Sequence, residues 1–374
     1  MRKIDQSSTR LIAPLTGSIG IIVLLTSLGC GAQIRPDGPK RVVFNEPDGS
    51  RRIIEVSPAS ELRATAIDRL MRLTADPSPE IRANTIEALS SVRAQVEPVV
   101  ALALSDPNAG VRTVAAMVAG RSQLRSLAPT IREMLSDESP FVRSAAMFAL
   151  GSFGEEIDLS ELSLLLFEDE NPRVRSQIAF ILGELGEESA VPMLLQSMRQ
   201  PMNQASVIQK KLFRLQVAEA LIKLGHDESI DAVRAALYPS RPDELEATAL
   251  AVQIIGQIRD EPSIDQLIYL ADPDADTPMP AEVRLGVASA LAEMGYREGS
   301  FVADEYMDNQ VDAIRAQSAI VYGKTQSRAN LGKLEMMMIN DPSPLTQVAA
   351  AGAIVDYTER ELGQKDAGYS QSGR

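Results

Sequence analysis

A single histidine, His226, and a single cysteine, Cys30, stand among 374 residues. Triads, zinc sites and facial triads built on histidine therefore have almost nothing to be built from. His226 follows Leu224-Gly225, the place of a loop residue just past a helix end, and the structural reading of it outweighs a functional one. What remains for chemistry is carboxylate and guanidinium. Asp272-Pro273-Asp274-Ala275-Asp276 has the alternating spacing with which a calcium loop begins, so Asp272, Asp274 and Asp276 form a weak Ca²⁺ candidate. Thr277 stands where the sharp turn of such a loop needs Gly, and Val283 where it needs a bidentate Glu. A solvated acidic loop is the simpler expectation. No catalytic residue, further metal site or cofactor is expected.

Arginine, by contrast, recurs. Ile81-Arg82 returns as Val111-Arg112, Val142-Arg143 and Val174-Arg175, each opening an apolar, mostly Ala-rich run. Further copies centre on Arg214, Arg284 and Arg315, and Thr248 and Gln347 hold the same column in two degenerate copies. Successive copies lie 30 to 39 residues apart. A second column precedes the first: Asp76, Asp106, Asp137, Asn171 and Asp341, most followed by Pro. The spacing predicts that these residues cap a helix whose first turn carries the Pro. An Arg at a fixed place beside a fixed Asp could be a basic binding stripe. It is more simply a ladder, each guanidinium tying one unit's loop to the next through charge-assisted bonds, with Thr248 and Gln347 as weaker joints.

The elements that position these side chains follow from the same periodicity. Ile178, Ile181, Leu182 and Leu185 fall at helical spacing, and Gly151 to Gly154 and Gly183 to Gly186 close their helices. Partner helices fill the intervals, among them 96–104, 127–135, 159–167, 190–198, 264–270 and 331–339. The fold class expected is all-α, an α-α superhelix of about nine helical hairpins over residues 59–360. The D-P-x-x-x-V-R-x-x-A-x-x-A-L-G phrase resembles HEAT repeats, particularly the short variety of the phycobilin lyases, over about four-fifths of the chain. The resemblance implies a solenoid with a concave protein-binding face. Deoxyhypusine hydroxylase, a HEAT-repeat enzyme that holds iron through several His-Glu pairs, is excluded, because the one histidine here is followed by Asp227. No residue matches a chromophore-handling motif of the lyases.

Two insertions break the period. Arg199 to Ser206, followed by Lys210-Lys211 and Arg214, occupies the 39-residue interval, and Asp272 to Pro280 occupies a 36-residue one. Solenoid insertions map to loops, often on the binding face, so Arg199, Lys210, Lys211 and the three aspartates are candidate binding-loop residues. Met336-Met337-Met338 reads as core filling with at least one member partly exposed.

The N-terminus reads as an export signal. A positive stretch from Met1 to Arg10 precedes an apolar run ending Ser27-Leu28-Gly29-Cys30. That ending resembles the lipobox of bacterial lipoproteins, although Ser27 stands where Leu is usual. The resemblance implies cleavage after residue 29 and lipidation of Cys30. Gly31 rather than Asp leans towards the outer membrane. Residues 30–40 have tether composition, 41–58 a small β-hairpin capping the first helix, and 361–374 a disordered tail.

Composition bounds the function. Aromatics are 4%, Trp is absent, and Ala, Leu, Ile and Val supply most of the 45% hydrophobic content, which suits packed helices. The formal net charge of −14 repels phosphate backbones and anionic lipid, so neither nucleic acid nor direct headgroup binding is expected. The expected function is a non-catalytic scaffold, lipid-anchored in the cell envelope and binding a protein or extended peptide on its concave face. The alternatives are a lyase-like or other HEAT-type enzyme using carboxylates and Arg, and a structural spacer.

Overall fold

A computed structural model describes residues 40–45, 51–56 and 58–371, with side chains over 59–361. The signal segment 1–29, Cys30, most of the tether and the turn at 47–49 lie outside the described residues. β1 (Lys40–Asn45) pairs antiparallel with β2 (Arg51–Val56), Lys40 opposite Val56 and Asn45 opposite Arg51. Eighteen α-helices follow as nine hairpins. They are α1 (Pro58–Leu73) with α2 (Pro79–Ala88), α3 (Arg93–Ala103) with α4 (Ala109–Arg121), and α5 (Ala128–Glu133) with α6 (Pro140–Ser152). Next come α7 (Leu159–Glu168) with α8 (Pro172–Leu185), α9 (Val191–Ser197) with α10 (Val207–Lys223), and α11 (Ile230–Ala235) with α12 (Leu245–Ile258). The last three are α13 (Ile264–Ala271) with α14 (Ala281–Glu293), α15 (Ser300–Tyr306) with α16 (Asp312–Thr325), and α17 (Leu331–Asn340) with α18 (Pro344–Gln371).

The even-numbered helices form one continuous layer, each packed on the next. Small residues let them approach. A Cβ built on Gly183 would lie 2.7 Å from the Cα of Ala220, and one on Gly256 would lie 2.7 Å from the Cα of Ala290. The helix-closing glycines divide their work: Gly154 and Gly186 take positive φ, while Gly120 and Gly183 serve close approach. Odd-numbered helices scarcely touch one another, as members of the wider, outer layer of a curved stack must.

The two ends of the stack meet. α18 packs on both α1 and α2, so the even layer runs without a break from α2 to α18 and back to α2. One apolar core crosses the junction, joining Ala66 and Leu70 to Ile354 and Val355. The seam uses the same small-residue device, with a Cβ on Gly352 3.1 Å from that of Ala88. Arg63 pairs with Glu359, Arg69 donates to Gln347, and Ser91 lies 3.0 Å from Asp356 across it. The sequence has a hairpin cap the first helix; α18 packs on that helix. The tail expected from residue 361 is helical as far as Gln371, as part of α18. A helix whose apolar stripe has two docking partners extends as far as they support it.

Candidate functional site

The repeated arginines sit in the second turn or so of the even helices, and their geometry falls into three kinds. Arg82, Arg112 and Arg315 each donate backward to a main-chain carbonyl six residues earlier, at Asp76, Asp106 and Asn309. Each then grips the next unit's aspartate with Nε and Nη2: Asp106 at 2.8 and 2.8 Å, Asp137 at 2.9 and 3.0 Å, Asp341 at 2.7 and 2.9 Å. Arg143 and Arg284 reach the next outer helix instead, to Glu161 and to Glu305 with Tyr306. The guanidinium bonds hold Asp106 and Asp341 well below the usual carboxylate range against the cost of burial. Gln347 keeps the pattern in neutral form, donating to the Asp341 carbonyl and accepting from Arg69. Thr248 bonds only carbonyls, at Ala236 and Glu244.

Two details of the expected ladder are corrected. The aspartates do not cap helices. Each accepts from the amide two residues on, at Ser78, Asn108, Ser139 or Ser343, making a turn ahead of the helix. Ser78, Asn108 and Ser139 hold the N-cap positions, of which only Asn108 accepts with its side chain, and the fourth rung is Asp169 rather than Asn171. Asn171 is the N-cap of α8, accepting from Arg173. Asp-Pro and Asn-Pro look alike in sequence, but only the distance of six residues to the Arg puts the carbonyl within reach.

Arg175 and Arg214 depart from the ladder. Arg175 is buried, yet its guanidinium meets only carbonyl oxygens, of Asp169 at 2.7 Å and Pro201 at 3.4 Å. The Pro201 carbonyl stands where the next unit's aspartate would. Arg214 is exposed and makes no ion pair among the described residues; it lines a cleft of about 190 Å³. Arg199, Lys210, Gln200 and Met202 share that cleft, with buried Phe213 as its apolar floor. Lys211 lies outside it, paired with Glu244 at 3.1 Å. That pair ties α10 to the sixth hairpin where Arg214 does not, and Arg234 on α11 grips Asp260 at 2.6 and 2.9 Å across the next joint, where Thr248 carries no charge.

The remaining candidates are quickly placed. Asp272, Asp274 and Asp276 are all exposed, and Asp272 spends a carboxylate oxygen on the Asp274 amide. Among the described residues no three carboxylates converge to hold a metal ion. His226 opens a short turn after Gly225, its Nδ1 2.9 Å from Ser229 Oγ. Met337 and Met338 are buried and Met336 is exposed.

A second polar column went unread in the sequence. Nine residues beyond each Arg position, at the far ends of the even helices, stand Ser91, Arg121, Ser152, Glu184, Lys223, Gln257, Glu293, Lys324 and Asp356. Lys223 bonds Glu184 at 2.7 Å and Glu219 at 2.6 Å, and Lys324 pairs with Glu293. Arg121 and Lys223, from the second and fifth hairpins, both sit over the Phe180 ring of the fourth, at 5.8 and 5.0 Å. These side chains therefore converge on the inside of the stack. Both carboxyls are half-buried, and desolvation by the surrounding protein pushes Glu87 up to about 7, with Arg121 opposing, and Asp356 up to about 6, with Ser91, Arg360 and Lys324 opposing. Either carboxyl alone has the protonation of a general acid, but neither perturbs the other, and neither lines the cleft at Arg214 or the one at the seam between Arg63 and Gln95.

Outside, large apolar side chains stand free on the outer helices. Leu102 on α3 is 80% exposed, and Ile268 and Tyr269 on α13, Phe301 on α15 and Ile339 on α17 follow one another on adjacent units.

Comparison with known proteins agrees with this architecture. A model of HEAT repeats matches residues 96–166 and 159–249. No curated protein sequence matches the chain. Among solved structures, human deoxyhypusine hydroxylase in complex with glycerol is 17% identical, covering 80% of this chain and 98% of its own, with a TM-score of 0.34. The complex of CpcE and CpcF of phycocyanin lyase from Nostoc sp. is 18% identical, covering 69% and 94%, with a TM-score of 0.36. The chain is a stack of helical hairpins of which residues 96–249 match HEAT repeats, and the likenesses carry nothing further.

Proposed function

We propose that the protein is a non-catalytic scaffold of the cell envelope, tethered by lipid on Cys30, which presents its surface to a protein partner. The observation that carries this reading is the run of exposed apolar side chains on α13, α15 and α17. Large apolar groups on adjacent units of an otherwise acidic surface mark a contact face. The inner face is a poorer place for an extended peptide than an open solenoid would offer, because Lys223 and Glu184, and Lys324 and Glu293, pair with one another around a stack whose ends meet. The partner's place therefore moves from the concave face to the outer helices. The tether rests on the sequence of the export segment, and a spacer role would leave the outer apolar run without purpose.

Cross-linking of the full-length protein in its native membranes, with mass spectrometry of captured chains, tests the reading. One protein recovered reproducibly by the wild type and lost with Phe301→Glu/Ile339→Glu is the expected result. Capture unaffected by that substitution removes the outer-face proposal. Release of Cys30→Ala from the membrane is expected if the tether is lipid.

A further inference from the structure

The cleft at Arg214 is built by a fault in the ladder. At the first three rungs a guanidinium ends on a carboxylate of the following unit. At the fourth rung the insertion puts the Pro201 carbonyl in that place, and Arg175 is left with carbonyl oxygens alone. Arg199, Lys210 and Arg214 then gather around the same cleft, and none of the three makes an ion pair among the described residues. Unpaired cations collecting at one spot of a chain with formal charge −14 is the reverse of what the surrounding field would place there by chance. Met198, Met202 and Phe213 give the cleft an apolar side.

We propose that this cleft recognises an acidic, partly apolar peptide segment of the protein partner, one carboxylate of which pairs with Arg214, the ladder guanidinium that has no ion pair among the described residues. The proposal rests on the scaffold reading, and names where and by what chemistry one contact is made. The three cations supply two planar forks and a point charge for carboxylates. The methionines and Phe213 take an apolar neighbour in the segment, Met adapting to its shape. An extended polyanion is disfavoured, because its charge beyond the cleft meets the acidic remainder of the molecule.

The test uses the full-length protein in detergent and a fluorescein-labelled peptide of alternating Glu and Leu, followed by fluorescence anisotropy at ~150 mM salt. Binding that weakens about tenfold or more in Arg199→Ala/Arg214→Ala, at unchanged helicity, is expected. Gln200→Asp, which puts a carboxylate in the cleft without removing a cation, is expected to weaken the peptide to a similar degree. Equal binding by wild type and both variants overturns the proposal. So does full displacement by millimolar inorganic phosphate, which would make the cleft a free-anion site. Variant-sensitive binding to vesicles containing phosphatidylglycerol would reassign it to lipid and likewise overturn it. If the peptide fails while native cross-linking through Phe301 and Ile339 persists, the cleft is refuted and the scaffold stands. If both fail, the scaffold falls too.

Discussion

Arg112 illustrates what one repeated residue does. Its Nη1 satisfies the carbonyl of its own unit's Asp106, and its other nitrogens form a two-pronged bond to the Asp137 of the next unit, largely out of water. Exposed Arg72, paired with Asp68 on one helix, has neither advantage. Exposed pairs contribute little, whereas a half-buried charge stripped of its partner costs about 1–3 kcal/mol. Urea unfolding should therefore show Arg112→Ala destabilised by about 2 kcal/mol, against less than about 0.5 kcal/mol for Arg72→Ala. Glu87 gives the opposite pH sign to the ladder. Its proton is held to about pH 7 in the fold, against an ordinary value of 4.5. The contribution of the neutral form is thus complete below pH 4.5 and is lost as pH rises towards 7. Asp356, raised to about 6, acts in the same direction. Ladder carboxylates such as Asp106, with lowered values, lose their contribution only on strong acidification. Between pH 7.5 and 5.5 the melting temperature should therefore rise, Glu87 contributing on the order of 2 kcal/mol. Glu87→Gln should flatten that slope; an unchanged slope would refute the assignment.

At the scale of the element, the even helices are held apart by almost nothing. Gly183 meets the backbone of Ala220 so closely that a methyl group cannot be added without moving α8 from α10. Gly183→Ala should cost about 1–3 kcal/mol in spite of the better helix propensity of Ala, while Gly332→Ala on α17, with open space around it, should stabilise slightly. Thermal melts of the two variants, read by circular dichroism, separate packing from propensity. The helices themselves were legible because the Arg column, the Asp before it and the apolar spacing all repeat. The register within the cap was not: Asn171-Pro172 imitates Asp76-Pro77, and only the carbonyl reach of Arg175 identifies Asp169 as the rung. Arg214 holds the right place in the column and is still exposed, because the next unit's loop presents Glu244 to Lys211 and no aspartate to Arg214. The inner charged column escaped notice because Ser, Arg, Glu, Lys, Gln and Asp share no residue type, only a direction.

At the scale of the molecule, the meeting of the ends is the property least visible in the sequence. Arg69 and Gln347 lie 278 residues apart, and the ladder bond between them reads in sequence as one degenerate rung. Closure does, however, account for Gln347: Arg69 arrives from α1 where a guanidinium would otherwise be needed, and a neutral amide both accepts from it and donates to Asp341. A stack in which every unit leans only on its neighbours keeps the other eight joints when one is broken. Gly352→Leu, forcing branched carbon into the 3.1 Å approach to Ala88, should therefore open the seam between α18 and α2 and leave the remaining hairpins folded. Small-angle X-ray scattering should show a larger radius of gyration at nearly unchanged far-ultraviolet circular dichroism. A second variant, Arg63→Ala/Ser91→Ala, weakens the same seam without adding bulk and should shift the radius in the same direction, less far. If both variants keep the wild-type radius, the seam is stronger than its mixed ladder implies. If helicity collapses with closure, the units are not autonomous neighbours, and the molecule folds as a ring or not at all.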